Sequence, residues 1–171
     1  EDGERGSITL TAPVAAQDSG LRTVRRLSYA QFLDLPGQSR PLIAADAMLN
    51  VAPNLAAKKD IVRNTISFAH ALGIPAPHVA LLAAKGTITP AFPSTSEAAA
   101  LMSMAAQGGF PGAVVEGPVT ADVALSSEFA RHAGTRSAVA GRADVLVAPT
   151  MEAAVMLVRA LTGLTGGLAA G

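Results

Sequence analysis

The chain has 171 residues, in which thirteen basic side chains balance thirteen acidic ones, and half of all residues are hydrophobic. Zero net charge and a single basic cluster, Arg22, Arg25 and Arg26, argue against nucleic-acid binding; we interpret the cluster as a solvated strand face. The absence of cysteine excludes disulfides, thiolate metal sites and cysteine nucleophiles. No apolar run approaches the ~18 residues that span a bilayer, and the charged N-terminus lacks an apolar signal region. We therefore expect a cytoplasmic protein without a membrane partner.

The first 40 residues differ in pattern from the rest. Residues 7–14 alternate β-formers with small residues, and residues 21–27 have a composition that would pair with them. A turn signal follows at Pro36-Gly37. We predict that residues 1–40 form a strand-rich antiparallel arm or the remnant of a preceding domain.

Residues 41–171 alternate strand-like runs with helical patterns four times. The predicted strands are residues 42–45, 79–83, 112–115 and 144–148, and the predicted helices are residues 54–72, 94–107, 120–132 and 151–161. Gly73 is placed to end the first helix. This alternation predicts an α/β fold with a mostly parallel sheet, and ligands bind such sheets outside the carboxyl ends of the strands. We interpret the small-residue tail at 165–171 as part of a domain that is incomplete at its C-terminus.

Four corners, one after each predicted strand, are the candidate binding positions. Asp46 and Asn50 follow the first strand, and Lys85 follows the second. Glu152 comes at the start of the last helix, where an acidic side chain also complements the helix dipole. An aspartate at a strand end is often only a turn former, so both interpretations of Asp46 stay open.

Ser94 and Thr95 begin the second predicted helix, and Glu97 completes a capping box with Ser94. The simpler interpretation is helix initiation alone. The alternative is an anion site, because a helix N-terminus after the long loop of residues 85–93 offers free N–H groups, two hydroxyls and the Lys85 ammonium.

Glu116, Gly117 and Pro118 form the third corner, and Asp122 lies in the first turn of the helix after it. Glycine permits close approach of backbone to a ligand, and proline fixes the entrance to a helix. Either acid is a potential acceptor for a substrate hydroxyl or amide. Asp122 is equally explained by the helix dipole.

Other standard sites have no sequence support. The three histidines, His70, His78 and His132, show no metal-ligand spacing, so we expect no metal. Neither a dinucleotide fingerprint nor a phosphate-binding loop nor a nucleophile elbow is present.

Six segments, taken in order, give the chain a resemblance to the phosphate acetyl/butyryl transferase family. They are PLIAADAMLNVAP at 41–53, AHALGI at 69–74, VALLA at 79–83, PSTSEAAAL at 93–101, EGPVTADVALS at 116–126 and VAGRADVLV at 139–147. The resemblance implies a three-layer α/β/α fold similar to isopropylmalate dehydrogenases. It also implies acyl transfer between coenzyme A and phosphate, with acyl-CoA and phosphate as substrates, no other cofactor, and a homodimer.

The chain departs from the family pattern in three places. A motif of the type Pro-Asp-x-Glu-x-Gly-Asn reads PTMEAAV at 149–155, so that Thr150, Ala154 and Val155 replace Asp, Gly and Asn. The family's Ser-Arg motif lies farther along than Gly171, and its N-terminal domain has no counterpart here. The catalytic residues therefore stay unknown, and we expect the chain alone to be inactive. The alternative is a non-catalytic homologue that serves as a structural, dimerisation or CoA-binding domain.

Overall fold

The computed structural model describes residues 24–171, whose centre is one six-stranded sheet. The strands are β1 (Ala30–Asp34), β2 (Leu42–Ala45), β3 (His78–Leu82), β4 (Val114–Val119), β5 (Val145–Val147) and β6 (Leu168–Ala170). The helices are α1 (Leu55–Ala71), α2 (Pro93–Ala106), α3 (Ala121–Leu125), α4 (Ser127–His132) and α5 (Met151–Thr165). The strand order is β4-β3-β5-β2-β1-β6. Strands β2 to β5 run parallel, and β1 is antiparallel to both β2 and β6.

Two apolar cores lie on opposite faces of this sheet. On β5, Leu146 belongs to one core, whereas Val145 and Val147 belong to the other, as expected when successive strand residues face opposite sides. Helices α3, α4 and α5 cover the first core, and α1 and α2 cover the second. The structure therefore confirms the predicted three-layer α/β/α architecture with a mostly parallel sheet.

The first strand and first helix follow their sequence signals closely. β2 has the predicted bounds, and the Asn54 side chain caps α1 by accepting a hydrogen bond from the Ala57 N–H at 3.0 Å. Gly73 adopts φ +84° directly after the C-cap residue Leu72. A side chain at that position would be strained, so this glycine ends the helix as predicted.

The region around β4 differs from the prediction. β4 continues to Val119 and therefore contains the three residues predicted as a corner. Pro118 is tolerated there because β4 is an edge strand of the sheet. The single helix predicted for residues 120–132 is also wrong. Ser126 adopts an extended conformation between α3 and α4, and its hydroxyl accepts a hydrogen bond from Phe129 N–H at 3.3 Å to begin α4.

Two strands add an antiparallel edge to the sheet, and only the second of them had no signal in the sequence pattern. β1 lies within the predicted arm and pairs with β2, and β6 lies within the small-residue tail. Residues 24–27 form no strand, and the predicted pairing strand at 7–14 lies outside the described residues. The division of the chain at residue 40 stays a prediction.

The described chain enters and leaves the sheet at one place. Ala30 at the start of β1 pairs with Ala45 at the carboxyl end of β2, and Phe32 pairs with Ala170 in β6. A Cβ atom on Gly171 would lie 2.5 Å from the Tyr29 hydroxyl, so the two segments are in close contact. The start of β1 and the end of β6 therefore lie side by side at the edge where the parallel strands end.

Candidate functional site at the carboxyl edge

The carboxyl ends of β2 to β5, with the loops that follow them, form what we call the carboxyl edge. Hydrogen bonds join its segments in pairs: Met151 N–H donates to Val51 O at 3.1 Å after β5 and β2, and Ala83 N–H donates to Val119 O at 2.9 Å at the ends of β3 and β4. In α/β proteins, ligands bind in the cleft outside the carboxyl ends of the parallel strands, which is where these loops lie.

Asp46 and Asn50 meet at the end of β2. One carboxylate oxygen of Asp46 accepts from Leu49 N–H at 3.0 Å and from Met48 N–H at 3.3 Å, and the other accepts from the Asn50 side-chain amide. Asp46 is only 4% exposed. Both oxygens therefore have donors, and the carboxylate shapes the loop as a turn former does.

Asn50 also brings an arginine to the carboxyl edge. Its carbonyl accepts from Arg26 Nη1 at 3.0 Å, and its amide donates to Leu27 O at 3.1 Å. Asn64 of α1 donates to Arg26 O at 2.8 Å, and Arg26 N–H donates to Asp60 at 3.1 Å. Arg26 is exposed, as a solvated face predicts, but it lies outside any strand, so the strand part of that interpretation is wrong. The sequence gives no signal for this placement, because it depends on contacts with residues 24 to 38 positions away.

Lys58 of α1 and Glu97 of α2 form an ion pair at the same edge. The lysine side chain is 7% exposed and the glutamate side chain 34%. The pair lines a small pocket together with Ser94 and Pro149. Sequence analysis missed Lys58, although it is a cation at a helical spacing from the buried Ile61 and Val62.

The predicted capping box at Ser94 is wrong. The N-cap residue of α2 is Phe92, which makes no side-chain cap, and Pro93 occupies the first turn. Proline suits that position because its missing N–H has no helical partner there. Glu97 is consequently used for the ion pair with Lys58, and the half-buried Ser94 faces the small pocket.

Thr95 has a structural role in the preceding loop. It is fully buried, and its hydroxyl lies within 2.7 Å of Phe92 O and 3.2 Å of Thr89 O. The same oxygen accepts from Thr89 N–H at 3.0 Å. This side chain fixes the loop before α2, so its hydroxyl is occupied by the protein itself.

Glu116, Gly117 and Pro118 lie within β4, where Gly117 is buried and the other two residues are half-buried. Glu116 accepts from the Ser137 hydroxyl and from Ala138 N–H at 2.9 Å. A Cβ on Gly117 would lie 2.7 Å from Leu81 O, so the close approach is to β3.

Asp122, Glu152 and Lys85 are exposed side chains at the carboxyl edge. A hydrogen bond from the Thr120 hydroxyl is the main cause that lowers the pKa of Asp122 below its ordinary value; partial burial opposes this effect. Neighbouring strands are ~4.8 Å apart, so the ends of β2 and β4, three spacings apart, are separated by ~14 Å. The predicted residues therefore line an extended edge.

The described residues give no sign of a metal centre or a membrane segment. No group of three or more histidine, aspartate or glutamate side chains is arranged to hold a metal within residues 24–171. His78 contacts Asp144 at the opposite edge of the sheet. No helix in the same range is long and apolar enough to cross a membrane.

Comparison with solved structures shows that the chain is an α/β/α domain of the phosphotransacylase type. The structure superimposes on a branched-chain phosphotransacylase from Enterococcus faecalis V583 with a TM-score of 0.85 and 29% identity, over 94% of this chain and 57% of that one. The family described as phosphate acetyl/butaryl transferase matches residues 12–171. The chain belongs to this family.

Two relatives show how much of the family the chain spans. It is 48% identical over 158 residues to a phosphate acetyltransferase of Rhizobium meliloti, which covers 92% of this chain and 50% of the relative. It is 38% identical over 169 residues to a phosphate butyryltransferase of Clostridium acetobutylicum, which covers 96% of this chain and 56% of the relative. The chain thus spans about half the length of these relatives.

Proposed function

We propose that this chain forms one wall of the active site of a phosphate acyltransferase, which converts acyl-CoA and phosphate into acyl phosphate and coenzyme A. In this reaction a phosphate oxygen attacks the thioester carbonyl carbon, the carbon–sulfur bond breaks, and the sulfur leaves as a thiolate that takes up a proton. The observation that carries the proposal is the convergence of the family-matching corners on one hydrogen-bonded carboxyl edge.

The exposed and half-buried side chains of this edge are the proposed substrate contacts. They are Lys85, Ser94, Asp122 and Glu152. Asp46 and Asn50 support the substrate contacts indirectly, because their hydrogen bonds hold the loop and position Arg26. Thr95, Glu116, Gly117 and Pro118 support the walls rather than contact the substrates.

The positive charge at this edge is too small for the whole reaction. Among the described residues, Arg26, Lys85 and, near the start of α1, Lys58 and Lys59 bring cations to this edge, and Glu97 neutralises Lys58. Phosphate, coenzyme A and the developing oxyanion all require cationic or N–H donors. We therefore propose that the chain alone is inactive and that the remaining half of a family member supplies the missing donors.

Thiol release from acetyl-CoA and butyryl-CoA in the presence of phosphate tests this proposal. We expect no turnover by the chain alone and measurable turnover by a chimaera that joins it to the remaining half of the Rhizobium meliloti relative. In the chimaera, Arg26→Gln should lower kcat/KM about tenfold, since a hydrogen bond to a charged group contributes ~1.5–3 kcal/mol. Arg159→Gln, an exposed substitution on α5, should leave the rate unchanged.

The alternative is a non-catalytic homologue that serves as a structural, dimerisation or CoA-binding domain. Thr150 supports it, since this residue stands where the family motif has aspartate and its hydroxyl caps α5 by accepting from Ala153 N–H at 3.2 Å. A folded chimaera that releases no thiol would favour this alternative and contradict the enzyme proposal.

We also propose that the protein is a homodimer. The observation in favour is a set of strongly exposed apolar side chains on α5 and β6, namely Met156, Leu164 and Leu168. Large apolar patches on a surface mark interfaces. Sedimentation should show a dimer that Leu164→Asp dissociates and that Met102→Asp, on α2, leaves intact. A monomer at micromolar concentration would contradict the proposal.

A further inference from the structure

A groove of about 530 Å³ opens at the edge of the sheet opposite the candidate site. One wall is the second half of α1, with Arg25 beside it, and the other is the loop of residues 108–111 that leads into β4. Val114 N–H donates to Pro77 O at 3.0 Å, which places this loop beside the start of β3. The groove therefore lies at the amino ends of the parallel strands, and we call it the amino-edge groove.

The polar side chains of the amino-edge groove are cations or neutral donors. They are Arg25, Arg63, Ser67 and His70, and no carboxylate lines the groove among the residues that the structure describes. In a chain with zero net charge, two arginines on one groove without an acidic neighbour in its lining create a local positive field. A field of this sign favours an anionic ligand.

The arginine of α1 is held in a fixed orientation. Nε and Nη2 of Arg63 both donate to Gly109 O at 3.2 Å. These contacts use two of the five N–H groups of the guanidinium and fix its plane against the loop. Ser67 accepts from Arg25 Nη1 at 3.4 Å, which brings the second guanidinium to the same wall.

The imidazole of His70 is fixed in the same way. Its Nε2 lies 3.1 Å from Gly112 O, and because a carbonyl only accepts, Nε2 carries the hydrogen. A Cβ on Gly112 would lie 3.0 Å from the imidazole Cε1, so glycine is required for this close approach. The imidazole N–H is thus used by Gly112 O, and His70 forms part of the groove wall without donating to a ligand.

We propose that the amino-edge groove binds a phosphate-bearing small molecule with at least two negative charges. Phosphate offers three acceptor oxygens, which suit two guanidinium forks better than the two oxygens of a carboxylate. The Ser67 hydroxyl donates to Arg63 O at 3.0 Å and so positions Arg25 rather than the ligand. The volume falls within the range of small-molecule sites and exceeds that of a single phosphate ion. This site is separate from the carboxyl edge and does not depend on the acyl-transfer proposal.

Inorganic pyrophosphate is the probe that tests the site. Titration should give saturable binding with a Kd of ~1 mM or tighter, and amide resonances of residues 63–70 and 108–112 should move. Arg63→Gln should weaken binding about tenfold, because it removes a charged donor. Arg159→Gln removes the same charge from the exposed face of α5 and should leave the Kd unchanged.

A second variant keeps the test independent of the Arg63 contacts within the fold. Ser67 is exposed, so Ser67→Asp should fold normally while placing a carboxylate between the two arginines. We expect this variant to lose pyrophosphate binding, whereas Ser67→Ala should retain it. The proposal is overturned if pyrophosphate does not saturate, if it moves only carboxyl-edge resonances, if Ser67→Asp binds normally, or if succinate binds equally well.

Discussion

Lys58 and Glu97 form an ion pair whose two ends are unequally buried, with 7% of the lysine side chain exposed against 34% of the glutamate side chain. The pair joins α1 to α2, the two helices that cover one face of the sheet. Removing either partner leaves the other charge without its counterion. The cost depends on whether water can reach the charge that remains.

Glu97→Ala should therefore destabilise the protein more than Lys58→Met. Glu97→Ala leaves a buried ammonium without its counterion and should lower the free energy of unfolding by ~3 kcal/mol. Lys58→Met leaves a carboxylate that water already reaches and should lower it by ~1 kcal/mol. Urea unfolding measures both. Glu152→Ala, an exposed acid in the first turn of α5, provides the control at ~0.5 kcal/mol. Equal costs for the two partners would contradict this explanation.

Gly117→Ala should destabilise the protein by ~2 kcal/mol, because overpacking forces shifts of backbone. The new Cβ would lie 2.6 Å from Leu81 Cβ and 2.7 Å from Leu81 O. Gly163 in α5 is the matched control, since nothing lies within 4 Å of a Cβ there. Gly163→Ala should raise stability by ~0.5–1 kcal/mol through helix propensity. The two alanine variants should thus shift the thermal midpoint in opposite directions.

Asp144→Ala should be among the most destabilising changes at the amino edge, at ~3 kcal/mol. Its buried carboxylate accepts from His78 N–H at 2.8 Å, contacts His78 Nδ1 at 3.3 Å and pairs with Arg40 at 3.1 Å. Arg40 is half exposed, so Arg40→Ala should cost no more than ~1 kcal/mol. Chemical denaturation of both variants checks the difference, and a larger loss in Arg40→Ala would contradict it.

Thr120→Val should raise the pKa of Asp122 toward its ordinary value. The Thr120 hydroxyl is the main cause of the lowering, and Val123 N–H contributes further. A lowered pKa in the folded state means that this carboxylate adds stability above its unfolded pKa, and the contribution disappears as pH falls through the folded pKa. The variant should therefore lose less stability than the parent on acidification. Carboxyl NMR titration of Asp122 measures the shift directly.

The apolar periodicity of the sequence predicted the layers because burial determines them. Leu146 and its neighbours on β5 alternate between two cores, and α1 and α5 carry local capping signals at Asn54 and Thr150. β6 escaped prediction because all three of its residues are small or exposed and carry no periodic pattern. Its position depends on pairing with β1, more than 130 residues away.

The sequence predicted where the candidate residues lie in the fold, but only in part which contacts they make. Asp46 and Ser94 lie at the carboxyl edge, where the strand ends placed them, and their role as substrate contacts stays a prediction. The strand ends misplaced Glu116, because β4 continues past it as an edge strand. Lys58 and Arg26 act through partners on other elements, Glu97 and Asn50. Long-range pairings of this kind leave no local pattern for sequence reasoning to detect.

The adjacency of β1 and β6 has a mechanical consequence. Tyr29 and Gly171 lie in close contact at the carboxyl edge, so a force applied between these two residues acts on neighbouring ends of β1 and β6. Such a force would separate β6 from β1 one pair at a time, beginning at Phe32 and Ala170 and ending at Asp34 and Leu168.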